Sequence, residues 1–228
     1  MPLFYDSTYF LALIALVFAL IAQCSVKSTF KKYSQVYSRG GVTAAEAARK
    51  ILDAHGLYNV QIERIGGDLT DHYDPRTNVV RLSDSVYDST SVAAIGVAAH
   101  ETGHAIQHAE GYAPISIRNA ILPVAQIGSQ AAVPLVLLGL VFSSFSFLIN
   151  IGIIVYAAVV LFQIVTLPVE FNASGRALDI LERDFILEID ENGMARKVLK
   201  AAAMTYVAAA FSAAISLLRL ILLSKRRK

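Results

Sequence analysis

The sequence predicts a mostly helical α+β domain with a small sheet, combined with transmembrane helices. Three observations carry that reading. Of 228 residues, 55% are hydrophobic and the mean hydropathy is +0.53, which is too apolar for a soluble domain. Residues 119–169 hold no charge, and 51 residues are too many for one bilayer crossing and suit two. Residues 43–108 read as helix, strand, strand and helix by their hydrophobic periods. The net charge of +2, with no basic run interleaved with aromatics, excludes a nucleic-acid surface. Cys24 is the single cysteine, so the chain forms no internal disulfide and no thiolate metal site. No solenoid-type repeat is present.

Residues 1–26 form the first element, an amino-terminal transmembrane anchor. Ser7 to Val26 is uncharged and long enough to span. It lacks the basic start of a secretory signal, because Asp6 is the only charged side chain before it. Gln23 is too large for the position before a lipoprotein cysteine, so the anchor is expected to stay uncleaved. Lys27, Lys31, Lys32 and Arg39 follow directly and place this end in the cytoplasm, with the amino terminus outside.

Residues 27–118 form the polar domain. After the Gly40-Gly41 linker, Thr43 and Glu46 have capping-box spacing and start a helix. Ala44, Ala48, Ile51 and Leu52 give it an apolar face, and Gly56 ends it. Asn59 to Ile65 alternates as a half-buried strand, Gly66-Gly67 turns the chain, and Asn78 to Leu82 is a second strand after the Asp74-Pro75-Arg76-Thr77 turn. Asp71-His72-Tyr73-Asp74 reads equally as an Asp-stabilised turn or as a segment whose His72 or Tyr73 stabilises an oxyanion.

Ser91 to His108 is one uninterrupted helix, with Ser89, Thr90 or Ser91 as its cap. It carries His100-Glu101-x-x-His104. Two histidines four apart lie on one helix face, so their imidazoles converge on one metal ion. Glu101 stands beside them, placed to take a proton from water. The flanks Ala94, Val97, Ala98, Ala99 and Ala105 are small and apolar, so the helix is buried. Buried imidazoles and a carboxylate are costly unless paired or ligated. His108 continues the same face but sits about 6 Å beyond His104 along the axis. It is expected as a helix-end residue or as a partner behind a ligand.

Residues 119–169 then make a transmembrane hairpin, with Pro134 in its first arm and the turn within Ser143 to Asn150. A hairpin returns the chain to the side it left, so Glu170 can reach the histidines. As a ligand it completes a His-His-Glu set that leaves the fourth zinc position to water. Ser174, one turn on, is placed to hold His100 or His104 by a hydrogen bond. Pro168 is expected in the first turn of this ligand helix, residues 170–200, which breaks at a Glu191-Asn192-Gly193 turn. Residues 201–228 are a hydrophobic helix ending in a basic tail, Ser224-Lys225-Arg226-Arg227-Lys228. This helix either spans or packs near Glu170 and lies in the interface.

Four strings, Ala47 to Asp53, Leu69 to Arg76, Ala98 to His108 and Leu167 to Ser174, resemble the YugP-like neutral zinc metallopeptidases of bacterial membranes. The likeness covers nearly the whole chain. More distantly, the order of anchor, zinc helix, membrane hairpin and Glu-aromatic-x-Ala-Asp helix is similar to HtpX-type membrane peptidases. That comparison puts Glu170 in the third-ligand position, with Phe171 and Ala173 matching. Ser174 stands where those peptidases carry Asp, and a hydroxyl orients an imidazole less strongly.

The resemblance implies a zincin-like domain in the bacterial inner membrane, multi-pass, with its catalytic part in the cytoplasm. The expected function is hydrolysis of protein or peptide substrates at a zinc ion held by His100, His104 and Glu170, with Glu101 as general base. In the zincin architecture a strand beside the site binds substrate as an added strand, and Val79 to Leu82 is the candidate. Arg176, Tyr206, His72 and Tyr73 are candidate oxyanion donors. One rival is a non-catalytic membrane scaffold with a structural zinc, which needs four protein ligands. Another is an ion transporter, which needs ionisable groups inside its spans. Oligomeric state has no signature in the sequence.

Overall fold

The computed structural model describes residues 8–225. Asp6 and Ser7, and Arg226, Arg227 and Lys228 of the basic tail, lie outside the described residues. The elements are α1 (Tyr9–Tyr33), α2 (Ala44–Ala54), β1 (Gln61–Ile65), β2 (His72–Asp74), β3 (Val79–Ser83), α3 (Val92–Ala109), α4 (Ala113–Val141), a 3-10 turn (Ser143–Phe145), α5 (Phe147–Arg183) and α6 (Ile189–Lys225). The fold is therefore mostly helical with one small sheet, as the hydrophobic periods predict. Helices α1, α4, α5 and α6 are long and apolar enough to cross a membrane. The chain divides into two compact units.

The first unit comprises the described parts of Met1–Ala22, Ser116–Pro168 and Thr205–Lys228. Its helices meet through small residues, which let apolar helices approach closely without a hydrophobic drive between them. A Cβ on Gly128 would meet Val155 O at 2.8 Å, and one on Gly152 would meet Ala132 O at 2.8 Å. Val136, Ile149 and Leu220 form the buried cluster of this unit, and Phe18 stacks edge-on against Phe211 at 5.8 Å.

The second unit comprises Gln23–Ile115 and Val169–Met204. Its sheet has the order β1-β3-β2, with β1 parallel and β2 antiparallel to the central β3. Thr43 and Glu46 form the capping box at the start of α2, and Ser91 caps α3 through Ala94 N. Helix α3 is buried on almost all sides. One side packs Ala94 and Ala98 with Leu52, Val80 and Leu82; the other packs Val92, Ile95 and Ala99 with Ile51, Leu181 and Leu199. That crowding explains its run of small residues: a Cβ on Gly103 would meet Ala173 O at 2.8 Å.

Four expectations are corrected. Asp71-His72-Tyr73-Asp74 is not only a turn, because His72–Asp74 is the edge strand β2. Consequently Val79 to Leu82 cannot add a substrate strand: β3 is paired on both sides and has no free edge. Pro168 does not open a new helix but lies inside α5, which runs unbroken through Glu170. Pro inside apolar helices is tolerated where neighbouring groups re-satisfy the backbone. Finally, Glu191-Asn192-Gly193 is helical, and the turn falls between α5 and α6 at Phe185, whose φ is 53°. The polar residues that look like a turn are ties instead. Glu191 accepts hydrogen bonds from Glu188 N and Arg39 N, and Asn192 Nδ2 donates to Leu178 O and Glu182. Arg39 also pairs with Asp190 and Glu188, so the predicted Gly40-Gly41 linker is preceded by an anchor point.

Candidate metal centre

Helix α3 puts His100 and His104 one turn apart, with their rings nearly perpendicular at 81° and their centroids 4.7 Å apart. Glu170, from α5, closes the group within the second unit. Its Oε2 lies 3.3 Å from His100 Nε2 and 3.5 Å from His104 Nε2. One donor atom from each residue falls within 4.8 Å of the others. Tetrahedral zinc with bonds of about 2.1 Å separates its ligands by about 3.4 Å. The donor set and its spacing therefore fit zinc. The Glu170 side chain is 4% exposed, and a carboxylate so buried is costly unless it faces cations or metal.

The far nitrogens of both rings are occupied, which leaves each Nε2 turned to the common point. Ser174 Oγ lies 3.1 Å from His100 Nδ1. Gln107 Oε1 lies 3.0 Å from His104 Nδ1. The Gln107 amide also donates to Val169 O and to Asn172 Oδ1, both at 2.9 Å. One buried side chain thus fixes a ring of α3 and grips the turn of α5 that carries Glu170. Such partners set the orientation and basicity of a ligating imidazole. Burial lowers the pKa of His104, but its bond to Glu170 and the charges of Glu101 and Glu170 outweigh that and raise it. A proton and a metal ion compete for the same nitrogen.

Glu101 is 8% exposed and points from α3 towards β2. Its Oε2 accepts a hydrogen bond from Tyr73 N at 3.0 Å. Asp71 lies close behind: burial raises its pKa, partly offset by bonds from Ser83 N and Oγ, and the nearby Glu101 charge raises it further.

The other sequence candidates take different places. His108 is exposed in the last turn of α3, its ring 6.0 Å from that of Tyr73, and it is outside the cluster. His72 Nδ1 lies 2.9 Å from Thr70 O. The Tyr73 hydroxyl donates to Asn78 Oδ1 at 2.9 Å, so it is the main chain of Tyr73 that reaches the site. Arg176 is engaged by Asn172 and Glu110. Tyr206 belongs to the first unit. Gln107 and the Tyr73 amide are absent from the sequence reading. Only the i,i+3 spacing of His104 and Gln107 could have pointed to the former.

The profile of the family described as "Putative neutral zinc metallopeptidase" matches residues 8–225. The chain belongs to this family. Within the zinc metallopeptidase family, the chain is 50% identical over 215 residues to a Bacillus subtilis (strain 168) protein described as "Putative membrane protease YugP". The match covers 94% of this chain and 95% of that relative. No solved structure matches the chain.

Proposed function

We propose that the chain is an integral-membrane zinc endopeptidase in which His100, His104 and Glu170 hold the metal and Glu101 is the general base. The observation that carries this reading is the Glu170 carboxylate standing within 3.5 Å of both imidazoles. With the two imidazoles it makes a set of three, as a catalytic zinc with one open position requires, and no fourth His, Cys, Asp or Glu joins them among the described residues. That count also speaks against the scaffold reading. Zinc bound there supplies a Lewis acid that polarises a peptide carbonyl and acidifies water towards a pKa of about 7.

The remaining work belongs to side chains. Glu101 takes the proton from water at its free carboxylate oxygen, while the Tyr73 N–H holds Oε2 in place. It then returns the proton to the departing amine. Ser174 and Gln107 keep the imidazoles aimed. The edge strand β2 replaces β3 as the place where an extended substrate adds, since its outer edge lies at Glu101. The substrate is a polypeptide at the bacterial inner membrane. The basic residues after α1 favour a cytoplasmic catalytic unit.

The test is Glu101→Gln in the full chain, purified in mild detergent, with zinc content and cleavage of an unfolded protein measured side by side. Zinc stays bound while the rate falls by about 10²- to 10⁴-fold. Unchanged cleavage rejects Glu101 as the base.

A further inference from the structure

Arg219 is the anomaly of the first unit. The described residues of that unit contain no aspartate and no glutamate. Arg219 nevertheless stands between Leu218 and Leu220 in α6, a helix apolar enough to cross a membrane. A cation this near the end of an apolar helix reaches towards headgroup level, where an anionic group is its natural partner. Its Nε donates to Thr8 Oγ1 at 3.3 Å, and its guanidinium carbon lies 4.8 Å from the Tyr9 ring centroid. A guanidinium has five N–H groups. Among the described residues no carboxylate pairs with this one, and its terminal nitrogens donate to none of them.

The same guanidinium lines a cavity of about 270 Å³. Val136, Leu140, Leu220 and Leu223 make its walls, with Tyr156 and Ser216 beside them. These residues come from the closing turns of α4 and α6 and the opening half of α5, and Tyr9 opens α1. That end of the unit carries the interfacial signature of tyrosines beside a basic side chain. A cation with unfilled donors over an apolar slot has the complement of a phospholipid: a phosphate above and an acyl chain below. Cholines and other neutral-net headgroups satisfy the phosphate but add a cation beside Arg219, so an anionic lipid is favoured.

We propose that Arg219, flanked by Thr8 and Tyr9, binds the phosphate of an anionic phospholipid whose acyl chain fills the cavity between α4, α5 and α6. The lipid is held at a fixed place in the membrane unit and is separate from the metal centre.

The experiment uses the full chain in nanodiscs of phosphatidylglycerol or phosphatidylcholine, released into native mass spectrometry to count retained lipids. Wild type retains one phosphatidylglycerol more than Arg219→Gln, and phosphatidylcholine does not replace it. The expected loss of occupancy in Arg219→Gln is about fivefold or more. Ser216→Phe, which fills the slot and keeps the charge, loses the same lipid. This second variant decides the matter if Arg219→Gln fails to fold, and circular dichroism with size-exclusion chromatography reports folding in both. Equal lipid counts in wild type and either folded variant overturn the proposal. So does higher phosphatidylglycerol occupancy in Asp6→Asn, because that result means Arg219 is already neutralised within the chain.

Discussion

Gln107 shows what a single side chain contributes at this site. Its amide reaches His104 on one side and Val169 and Asn172 on the other, 62 and 65 residues along the chain. Gln107→Ala removes the partner of the proposed ligand His104 and a tie to the Glu170 turn together. Zinc affinity, measured by competition with a chromogenic chelator, falls by about 10- to 100-fold. Gln107→Glu keeps the acceptor for His104 but loses both donated bonds, so it recovers only part of that affinity. The histidines and Glu101 were legible in the sequence because their spacing is local to one helix. Gln107 was not, because its meaning depends on a strand of chain brought back from far away. Asp74 offers a pH readout at the same scale. Bonds from Thr77, Arg76 and Arg81 lower its pKa from the usual 3.8 to about 2. A lowered carboxylate stabilises the fold above the usual value and loses that contribution as pH falls through the folded one. The urea midpoint of Asp74→Asn therefore lies below wild type at neutral pH and converges with it near pH 2.

Among the elements, α3 is the most constrained. Its glycines are contact residues: Gly96 faces Ala195 and Gly103 faces Ala173, with no room for a Cβ on the latter. Gly103→Ala drives a methyl against the Ala173 carbonyl and forces α3 from the ligand turn of α5. The cost is about 1–3 kcal/mol of stability, with a loss of zinc that thermal unfolding and metal analysis will both register. Thr43→Ala in the exposed capping box of α2 costs about 1 kcal/mol and leaves zinc content unchanged. The two substitutions separate damage to the site from damage to the fold. Helices α2 and α3 were readable because caps and periodicity are written locally. β2 was not, since three residues give no alternation to count. The α5–α6 turn was misplaced because Glu191 and Asn192 have turn-like chemistry, and only their burial at 2% reveals interhelical ties. Pro168 misled in the same way, through a rule for water-exposed helices applied to an apolar one.

At the scale of the whole molecule, hydropathy told most of the story. Three of the four apolar helices follow from length and lack of charge, the properties a bilayer selects. The fourth, α6, is left open by the sequence because Arg219 and the basic tail interrupt it. Orientation is the finer matter, and it rests on Lys27, Lys31 and Lys32. In a Cys24→Ser background, Gln35→Cys supplies a single exposed thiol just beyond α1. An impermeant maleimide leaves it unlabelled in intact cells and labels it in inverted vesicles. The reverse pattern would put the metal unit outside.

The shortness of β2 reaches further than its size implies. Successive residues of a strand turn their amides to opposite sides, so in a three-residue edge only Tyr73 faces outward, and with its N–H given to Glu101 a single carbonyl is left for an incoming chain. An incoming polypeptide is therefore measured against a ruler with a single notch. Main-chain pairing can hold it near the metal without fixing where along its length it is cut. On the proposed function, the enzyme recognises that a segment is extended and within reach rather than which residues it contains, and its products have ragged ends.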